Sequence, residues 1–353
     1  MKILHCADIH LGSKMEARLP KDKSDGRKAE LCSQFRKMVE FAVSSEIGVI
    51  LLSGDVFDSD RPSKHDKEFF YSVIKANPGI DFLYLRGNHD RKESYTEYGL
   101  DNLKTFSDSW SVYTYGDTDI YGIEMTESNA DTMYEQLIPG RDRKNIVMLH
   151  GMLSDRPGID SICLDRLRSR NIDYLALGHI HSFSSDHFDE RGKYAYPGCL
   201  EGRGFDETGE KGFIILDTDR DMDITFVPFS LRRVEDVTVD ITGCDDTYSA
   251  LVKVKASINC SPEDMVRVTL TGQTEYGGSM LCNDITSWLR GDCYYICVRD
   301  KTSRIVNYAQ YADEVSLRGE FIRTVLKSRE YTDSEKDQII YAGLAALEGR
   351  EPD

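Results

Sequence analysis

The N-terminal stretch MKILHCADIHLG, residues 1 to 12, carries the pattern on which the fold depends. The apolar run from Lys2 to Ala7 is typical of a buried strand, and the polar residues Asp8 and His10 follow directly after it. Alternation in an extended segment would place these two side chains on the same side, where both can reach one metal ion. The stretch therefore predicts a strand whose carboxyl end carries metal ligands.

The same arrangement, an apolar strand followed by Asp, Asn or His, recurs along the first 181 residues. The further predicted strands run from Val49 to Ser53, Phe82 to Arg86, Ile146 to His150 and Tyr174 to Gly178. The five motifs are Asp8-Ile9-His10, Gly54-Asp55-Val56-Phe57-Asp58, Gly87-Asn88-His89-Asp90, His150-Gly151 and Gly178-His179-Ile180-His181. A lone His at a strand end is more often structural. Five such motifs in this order indicate one site, because open α/β sheets bind ligands at the carboxyl ends of their strands.

The elements between the motifs predict an α/β layered domain over residues 1–232. A helix between the first two strands presents one apolar stripe, made of Leu31, Phe35, Met38, Val39 and Ala42. Three later runs, Tyr194 to Pro197, Gly212 to Leu216 and Asp223 to Val227, have no helix between them. We expect these runs to be antiparallel strands that close a second sheet.

A second alternation of strands and helices follows Leu231-Arg232-Arg233 and predicts a small βαβαβ domain over residues 233–312. Residues 313–353 are predicted to be helical. The sequence Asp333-Ser334-Glu335-Lys336 is typical of a cap, and the last helix should end near Gly349.

Composition limits the function classes. No apolar run approaches the roughly 18 residues that a membrane helix needs, and the start of the chain turns polar too early for a signal peptide, so we expect a cytoplasmic protein without a membrane partner. Nine cysteines without a Cys-x-x-Cys pair indicate reduced thiols.

The net charge of −17 disfavours long-range attraction to a phosphate backbone. Any affinity for DNA must then come from local groups, bound cations or a basic partner subunit.

In type and order, the five motifs resemble those of the calcineurin-like metallophosphoesterase superfamily across residues 1 to about 215. Within it, residues 1–12 and Gly54 to Asp58 followed by Arg61-Pro62-Ser63 look like the SbcD group of DNA-repair exonucleases, and Gly202 to Gly212 looks closest to the YhaO-type branch. The resemblance implies a four-layer αββα sandwich with a C-terminal βαβαβ capping domain and terminal helices.

The resemblance also implies a role for each motif residue. One metal would be bound by Asp8, His10 and His181, the other by Asn88, His150 and His179, with Asp55 as the bridge. His89 looks like the catalytic histidine. Asp90 could orient His89 or could equally be a turn residue. Asp58 stands where archaeal and eukaryotic relatives often carry a histidine. The implied cofactors are two divalent metal ions, manganese by resemblance, with iron, magnesium and zinc as alternatives.

The implied function is a manganese-dependent DNA exonuclease or endonuclease that acts at DNA ends in repair. The alternative is a phosphodiesterase or phosphatase for a small molecule, since the same binuclear site serves both. A non-catalytic scaffold is disfavoured because every ligand position is occupied. The implied partners are DNA, a coiled-coil ATPase of the SbcC or YhaN kind docked on residues 316–349, and a second copy of the chain. DNA could be contacted by basic residues in or beside the motif loops, although any highly charged protein carries such residues: Arg61, Lys64, Arg91, Lys92 and Arg203.

Overall fold

The computed structural model describes residues 1–15, 19–92, 98–274, 279–304 and 314–347. The chain divides into two compact units. The first, here the N-terminal unit, comprises Met1–Glu235 and Glu263–Met265, and the second, the C-terminal unit, comprises Asp236–Pro262 and Val266–Asp353. In the described ranges, no helix is both long and apolar enough to cross a membrane.

Two six-stranded sheets form the centre of the N-terminal unit. Its strands are β1 (Lys2–Cys6), β2 (Val49–Ser53), β3 (Asp81–Leu85), β4 (Leu103–Thr105), β5 (Ser111–Tyr115), β6 (Thr118–Gly122), β7 (Lys144–His150), β8 (Met152–Ser154), β9 (Ser161–Cys163), β10 (Tyr174–Gly178), β11 (Ser184–His187), β12 (Lys193–Tyr196), β13 (Gly212–Asp217) and β14 (Asp223–Pro228). The first sheet has the order β14-β13-β1-β2-β3-β4 and the second has the order β11-β12-β10-β7-β6-β5. Strands β8 and β9 form a separate pair.

The helices of this unit are α1 (Lys21–Ser44), α2 (Lys64–Ala76) and α3 (Met133–Gln136), with a 3₁₀ turn at Leu164–Arg166. Three apolar clusters separate the layers: one lies between α1, α2 and the first sheet, one between the two sheets, and one outside the second sheet beneath α3. The predicted apolar stripe of α1 is buried throughout. The α/β sandwich is therefore confirmed, although the outer layer on the second sheet consists of short helical turns and loops.

The placement of β13 and β14 differs from the sequence prediction. Both strands form and run antiparallel, but they extend the first sheet next to β1, so the prediction that they close the second sheet is wrong. The burial of β13 explains this position: Phe213 faces the helices, whereas Ile214 and Leu216 face the other sheet. A continuous apolar run such as Gly212 to Leu216 indicates that a strand is buried on both faces, but not which strand it pairs with.

The sheet register brings the five motifs to one edge of the sandwich. Strands β1, β2 and β3 are parallel, with Leu4 opposite Ile50 and Ile50 opposite Phe82. Strands β7 and β10 are also parallel, and their last residues, His150 and Gly178, lie side by side. Because parallel strands end at the same edge, the loops after all five strands can contribute to one site.

The C-terminal unit contains a three-stranded sheet of order β15-β16-β18, with β15 beginning at the unit boundary. Its elements are β15 (Val234–Asp240), α4 (Thr247–Ser257), β16 (Met265–Thr271), β17 (Gln273–Thr274), α5 (Ser279–Trp288), β18 (Tyr295–Asp300), β19 (Ser303–Arg304), α6 (Leu317–Lys327) and α7 (Asp333–Leu347). The predicted βαβαβ order is confirmed.

The last two helices, α6 and α7, pack on each other through Ile322, Val325 and Ile340. The cap of α7 is Thr332, one residue before the predicted segment. Its backbone N–H donates to Glu335 Oε2 at 2.7 Å, and its hydroxyl accepts from the Glu335 backbone at 3.4 Å, which is a capping box. The predicted end near Gly349 lies outside the described residues.

Candidate metal centre

The backbone at the strand ends adopts an uncommon conformation. Asp8, His10, Asp55 and His179 have φ angles of 51°, 53°, 52° and 103°. Such positive values occur in only a few per cent of non-glycine residues and cluster at functional sites. The side chains of Asp8 and His10 do converge, but the predicted reason, alternation along an extended segment, is wrong, since β1 ends at Cys6 and both residues lie in the left-handed region.

Two glycines allow the motif loops to approach one another closely. Gly54 has a φ of 94°, and a Cβ at this position would lie 2.1 Å from His150 Nδ1. A Cβ at Gly87 would lie 2.2 Å from Asp55 Oδ1. Both positions therefore exclude larger residues because the predicted ligands occupy the space.

The first half-site consists of Asp8, His10 and His181. The Nε2 atoms of His10 and His181 lie only 3.2 Å apart, and His181 Nε2 lies 4.0 Å from Asp8 Oδ1. The backbone N–H of His179 donates to both oxygens of Asp8 at 3.0 Å, which fixes the carboxylate. Two imidazole nitrogens at this distance, beside a buried carboxylate, form a set of donors that can surround one cation.

The second half-site consists of Asn88, His150 and His179. Asn88 Oδ1 lies 3.1 Å from His150 Nε2 and 3.0 Å from His179 Nδ1. The outer nitrogen of His150, Nδ1, donates to the backbone carbonyl of Ser53 at 2.9 Å, so that Nε2 is the nitrogen that faces the half-site. The three groups again present one oxygen and two nitrogens toward a common point.

Asp55 lies between the half-sites. Its Oδ2 atom is 3.9 Å from His10 Nε2 and 3.4 Å from His150 Nε2. Its Oδ1 atom accepts from the backbone N–H of His89 at 2.8 Å, which holds the carboxylate in place. Asp55 therefore faces both sets of ligands, as a bridging residue must.

The donor chemistry fits hard or borderline divalent cations. The seven side chains offer carboxylate oxygen, amide oxygen and imidazole nitrogen, and they do not include a thiolate. Two neutral ring nitrogens such as His10 Nε2 and His181 Nε2 repel each other at 3.2 Å unless a cation or a proton lies between them. Two groups of these donors, Asp8 with His10 and His181, and Asp8 with Asp55 and His150, lie close enough together to hold a metal ion.

Burial and charge set the protonation of this centre. Burial opposes the charging of His150, but its hydrogen bond to Asp55 and the charge of that carboxylate raise the pKa of His150 to about 9. Burial raises the pKa of Asp8 to about 6 and lowers that of His10 to about 4. Metal binding must therefore displace a proton from His150, because only neutral imidazole is a ligand.

His89 and Asp90 occupy different environments. The His89 side chain is exposed, and its ring packs edge-on against His10 with centroids 4.9 Å apart. Its Nδ1 lies 3.2 Å from the carbonyl oxygen of Asp58. Asp90 is fully buried, and its oxygens accept from Tyr84 Oη and from the backbone N–H groups of Val56 and Gly87. These bonds match the turn alternative for Asp90, and its catalytic role stays a prediction.

Arg203 and Glu207 are the side chains whose place the sequence did not indicate. Arg203 is largely buried and pairs with Asp58 and Glu207, and its contact with DNA stays a prediction. Glu207 accepts from His181 Nδ1 at 2.7 Å. Against the effect of burial, His181 and Arg203 hold the pKa of Glu207 well below its usual range. Both residues belong to the Gly202 to Gly212 stretch, so the resemblance of that stretch to the YhaO-type branch was the only available signal.

A cavity of about 300 Å³ adjoins the second half-site. Its lining includes His150 and Gly87, apolar Met125 and Ile159, and the guanidinium groups of two arginines, Arg86 and Arg91. Both arginines are ion-paired, Arg86 with Glu124 and Arg91 with Asp160. The cavity therefore offers a mixed polar and apolar space beside the centre.

A family model described as calcineurin-like phosphoesterase matches residues 1–183 of this chain. This range contains every predicted metal ligand and His89. The uncharacterized metallophosphoesterase YhaO of Bacillus subtilis (strain 168) is 29% identical to the chain, over 77% of this chain and 72% of the relative.

Two further relatives carry nuclease or repair names. The DNA double-strand break repair protein Mre11 of Sulfolobus acidocaldarius is 22% identical over 96% of this chain and 94% of its own length. One subunit of the nuclease SbcCD of Rhodobacter capsulatus is 30% identical, but only over 26% of this chain and 22% of its own length.

Proposed function

The chain belongs to the calcineurin-like phosphoesterase family, and from this premise we propose that it is a manganese-dependent nuclease that hydrolyses phosphodiester bonds at DNA ends. Family membership confirms the resemblance drawn from the five motifs and identifies the protein as a metal-dependent phosphoesterase. The substrate, the metal and the partners are the proposed part.

One observation carries the proposal: two sets of side chains suited to bind metal ions both face Asp55, and the exposed ring of His89 lies beside them. Bound divalent cations supply the positive charge that clamps a phosphoryl oxygen and acidifies the attacking water. The half-sites are assigned to one cation each. The burial of Asp8 and His10 keeps water away from the ligands, whereas the exposure of His89 leaves its ring open to a substrate.

His89 is proposed to protonate the leaving oxygen. The carbonyl oxygen of Asp58 accepts from Nδ1, so the opposite nitrogen, Nε2, is the one that can donate to a substrate. The neighbouring ring of His10 limits rotation of His89. General acid catalysis of this kind contributes about 10²–10⁴-fold to a rate.

DNA as the substrate is supported by the names of the relatives, which include a double-strand break repair protein that matches nearly the whole chain.

By the same comparison we propose a partner protein, a coiled-coil ATPase, because one relative is named as a subunit of a nuclease. The helices α6 and α7 are its proposed docking segment, since Leu317 and Leu326 on α6 are exposed apolar residues. Dimerisation with a second copy is a further proposal, which light scattering can test.

A small phosphodiester or phosphate monoester is the second candidate substrate, and two observations favour it. The net charge of −17 repels a polyanion, and the basic residues beside the motifs are largely neutralised. Lys92 pairs with Asp60, Arg91 pairs with Asp160, and Arg203 is committed to Asp58 and Glu207. Arg61 is exposed and lies three residues after Asp58, and we propose it as a contact for a phosphate backbone.

The two candidates separate in one assay. An end-labelled linear duplex and bis-p-nitrophenyl phosphate are each incubated with the protein in Mn²⁺, beside a His89→Ala variant. We expect the duplex to be shortened by the wild type and much more slowly by the variant. Cleavage of the small diester alone would support the second candidate and contradict the nuclease proposal.

A further inference from the structure

The outer ring nitrogens of the first half-site face two carboxylates. His181 Nδ1 lies 2.7 Å from Glu207 Oε1, and His10 Nδ1 lies 3.0 Å from Asp58 Oδ1. A carboxylate can only accept, so His181 Nδ1 carries a proton and its Nε2 faces the half-site. The contact of His10 Nδ1 with Asp58 is at ion-pair distance but does not have hydrogen-bond geometry. The Nε2 atoms of both rings point into the half-site, where they lie 3.2 Å apart.

One guanidinium joins the two carboxylates. Arg203 Nη1 donates to Asp58 Oδ1 at 2.8 Å, and Nη2 donates to Glu207 Oε1 at 2.6 Å. The Arg203 backbone N–H also donates to Glu207 Oε2 at 2.7 Å. Arg203 Nη2 lies 3.2 Å from His181 Nδ1, but both are donors that share the same carboxylate oxygen. The guanidinium therefore fixes the separation of the two carboxylates.

The same contacts extend to the backbone around the centre. The carbonyl oxygen of Asp58 lies 3.2 Å from His89 Nδ1, so that the residue held by Arg203 also positions the exposed histidine. Lys211, which is almost fully buried, donates to the carbonyl oxygen of His181 at 2.7 Å. Both ends of the His181 residue, its ring and its carbonyl, are thereby tied to the stretch from Gly202 to Gly212.

We propose that Arg203 and Glu207 are positioning residues that set the tautomer of His181 and the orientation of His10 and His181, and through them the cation affinity of the first half-site. We call the three residues Arg203, Asp58 and Glu207 together the Arg203 brace. The inference rests on the proposed metal-dependent function. It explains why Arg203 and Glu207 occur in the stretch from Gly202 to Gly212, outside the five motifs. It also predicts that substitution of either residue lowers the Mn²⁺ affinity of the first half-site but not that of the second.

The planar fork of arginine is required for this geometry. A lysine ammonium at position 203 is a point charge on a flexible stem and cannot hold both carboxylates at a fixed separation. We therefore expect Arg203→Lys to behave like Arg203→Met rather than to rescue it. An arginine that merely neutralises buried acids would be replaced by lysine with little effect.

The first test uses the metal-free protein and reads the tautomers directly. With ¹⁵N-labelled histidine, the ring signals of the wild type should show that His181 Nδ1 carries a proton that is hydrogen-bonded to a carboxylate. In Glu207→Gln the His181 signals should shift or become a mixture of tautomers, while those of His150 stay unchanged, because the Ser53 carbonyl holds that ring. Unchanged His181 signals would overturn the proposal.

The second test titrates Mn²⁺ into the full chain by calorimetry. Outer partners of histidine ligands are typically worth about 10–100-fold in metal affinity, and we expect a loss of this size at one of two sites in Glu207→Gln and Arg203→Lys. Asp119→Asn is the matched control: Asp119 is a similarly buried carboxylate held by Arg143, but it lies at the opposite end of the sheet, paired with Asn145 at the start of β7.

The outcomes separate the brace from the proposed function. A wild type that binds no Mn²⁺ contradicts the metal-dependent function itself. A wild type that binds two cations, together with variants that bind both equally well, contradicts only the brace. Equal weakening of both sites, with a loss of thermal stability matching that of Asp119→Asn, would also contradict the brace, since it would mean a general structural role.

Discussion

In the first half-site, the outer nitrogens of His10 and His181 face the side chains of Asp58 and Glu207, whereas in the second the outer nitrogen of His150 donates to the backbone carbonyl of Ser53. Both arrangements leave Nε2 available to a cation. They differ in whether a substitution can remove the partner of the outer nitrogen. The Ser53 carbonyl in the second half-site belongs to the backbone of a central strand, so it is present in any sequence that forms this strand. The first half-site depends on charged residues that lie far away in the chain.

The largest expected effect comes from the residue that the half-sites share. Asp55→Asn removes a charge that faces both His10 and His150, so we expect both Mn²⁺ sites to weaken together. Hydrolysis should fall by more than the roughly 10²–10³-fold typical of one electrostatic group. Metal content of the purified protein and the hydrolysis rate measure this, with Asp119→Asn as the control. Selective loss of one site would show that Asp55 does not bridge.

The second-largest effect on hydrolysis should come from His89→Ala, a substitution that leaves both half-sites intact. His89 contacts the ring of His10 but does not belong to either set of ligands, so His89→Ala should retain both cations. We expect kcat to fall by about 10²–10⁴-fold, with KM changed little, because the side chain is assigned to proton transfer. Steady-state kinetics on bis-p-nitrophenyl phosphate give both values. A variant that loses a cation would instead place His89 among the ligands.

A substitution beside the second half-site, Gly54→Ala, tests whether that half-site depends on the position of His150. In Gly54→Ala the new Cβ would lie 2.1 Å from His150 Nδ1 and should push this ring away from the Ser53 carbonyl. Gly116→Ala is the matched control, since Gly116 also has a positive φ, 61°, but a Cβ added there would meet no atom within 4 Å. Backbone strain of about 1–3 kcal/mol should destabilise both variants.

Only Gly54→Ala should weaken Mn²⁺ binding, by about tenfold or more, and at one site. Thermal unfolding and calorimetric titration of the two glycine variants supply the measurements. If Gly116→Ala weakened metal binding as much, the effect would be one of global stability. If Gly54→Ala retained both sites, the second half-site would not depend on the position of His150.

The sequence predicted the parts of this site that depend on local pattern. The five strands that carry motifs form within two residues of their predicted bounds, and the side chains after them meet at one edge. Alternating or continuous apolar runs report burial directly, and the carboxyl ends of parallel strands necessarily coincide. The architecture followed from these two facts and from the helix with a buried apolar stripe.

The rest could not be read from pattern, for physical reasons. The pairing of β13 with β1 joins segments about 210 residues apart, and periodicity is silent on partners. The left-handed conformation of Asp8 and His10 depends on hydrogen bonds to the backbone of the Gly54 to Asp58 motif. The pairing of Arg203 could not be predicted either, because a charge in a loop gives no sign that a distant carboxylate, that of Asp58, will bind it.

The most direct test of the account is the location of bound cations. A crystal of the protein soaked in Mn²⁺ is measured at a wavelength where manganese scatters anomalously. We predict two peaks, one among Asp8, His10 and His181 and one among Asn88, His150 and His179, each next to a carboxylate oxygen of Asp55. A single peak, or peaks away from these residues, would contradict a centre built from two half-sites.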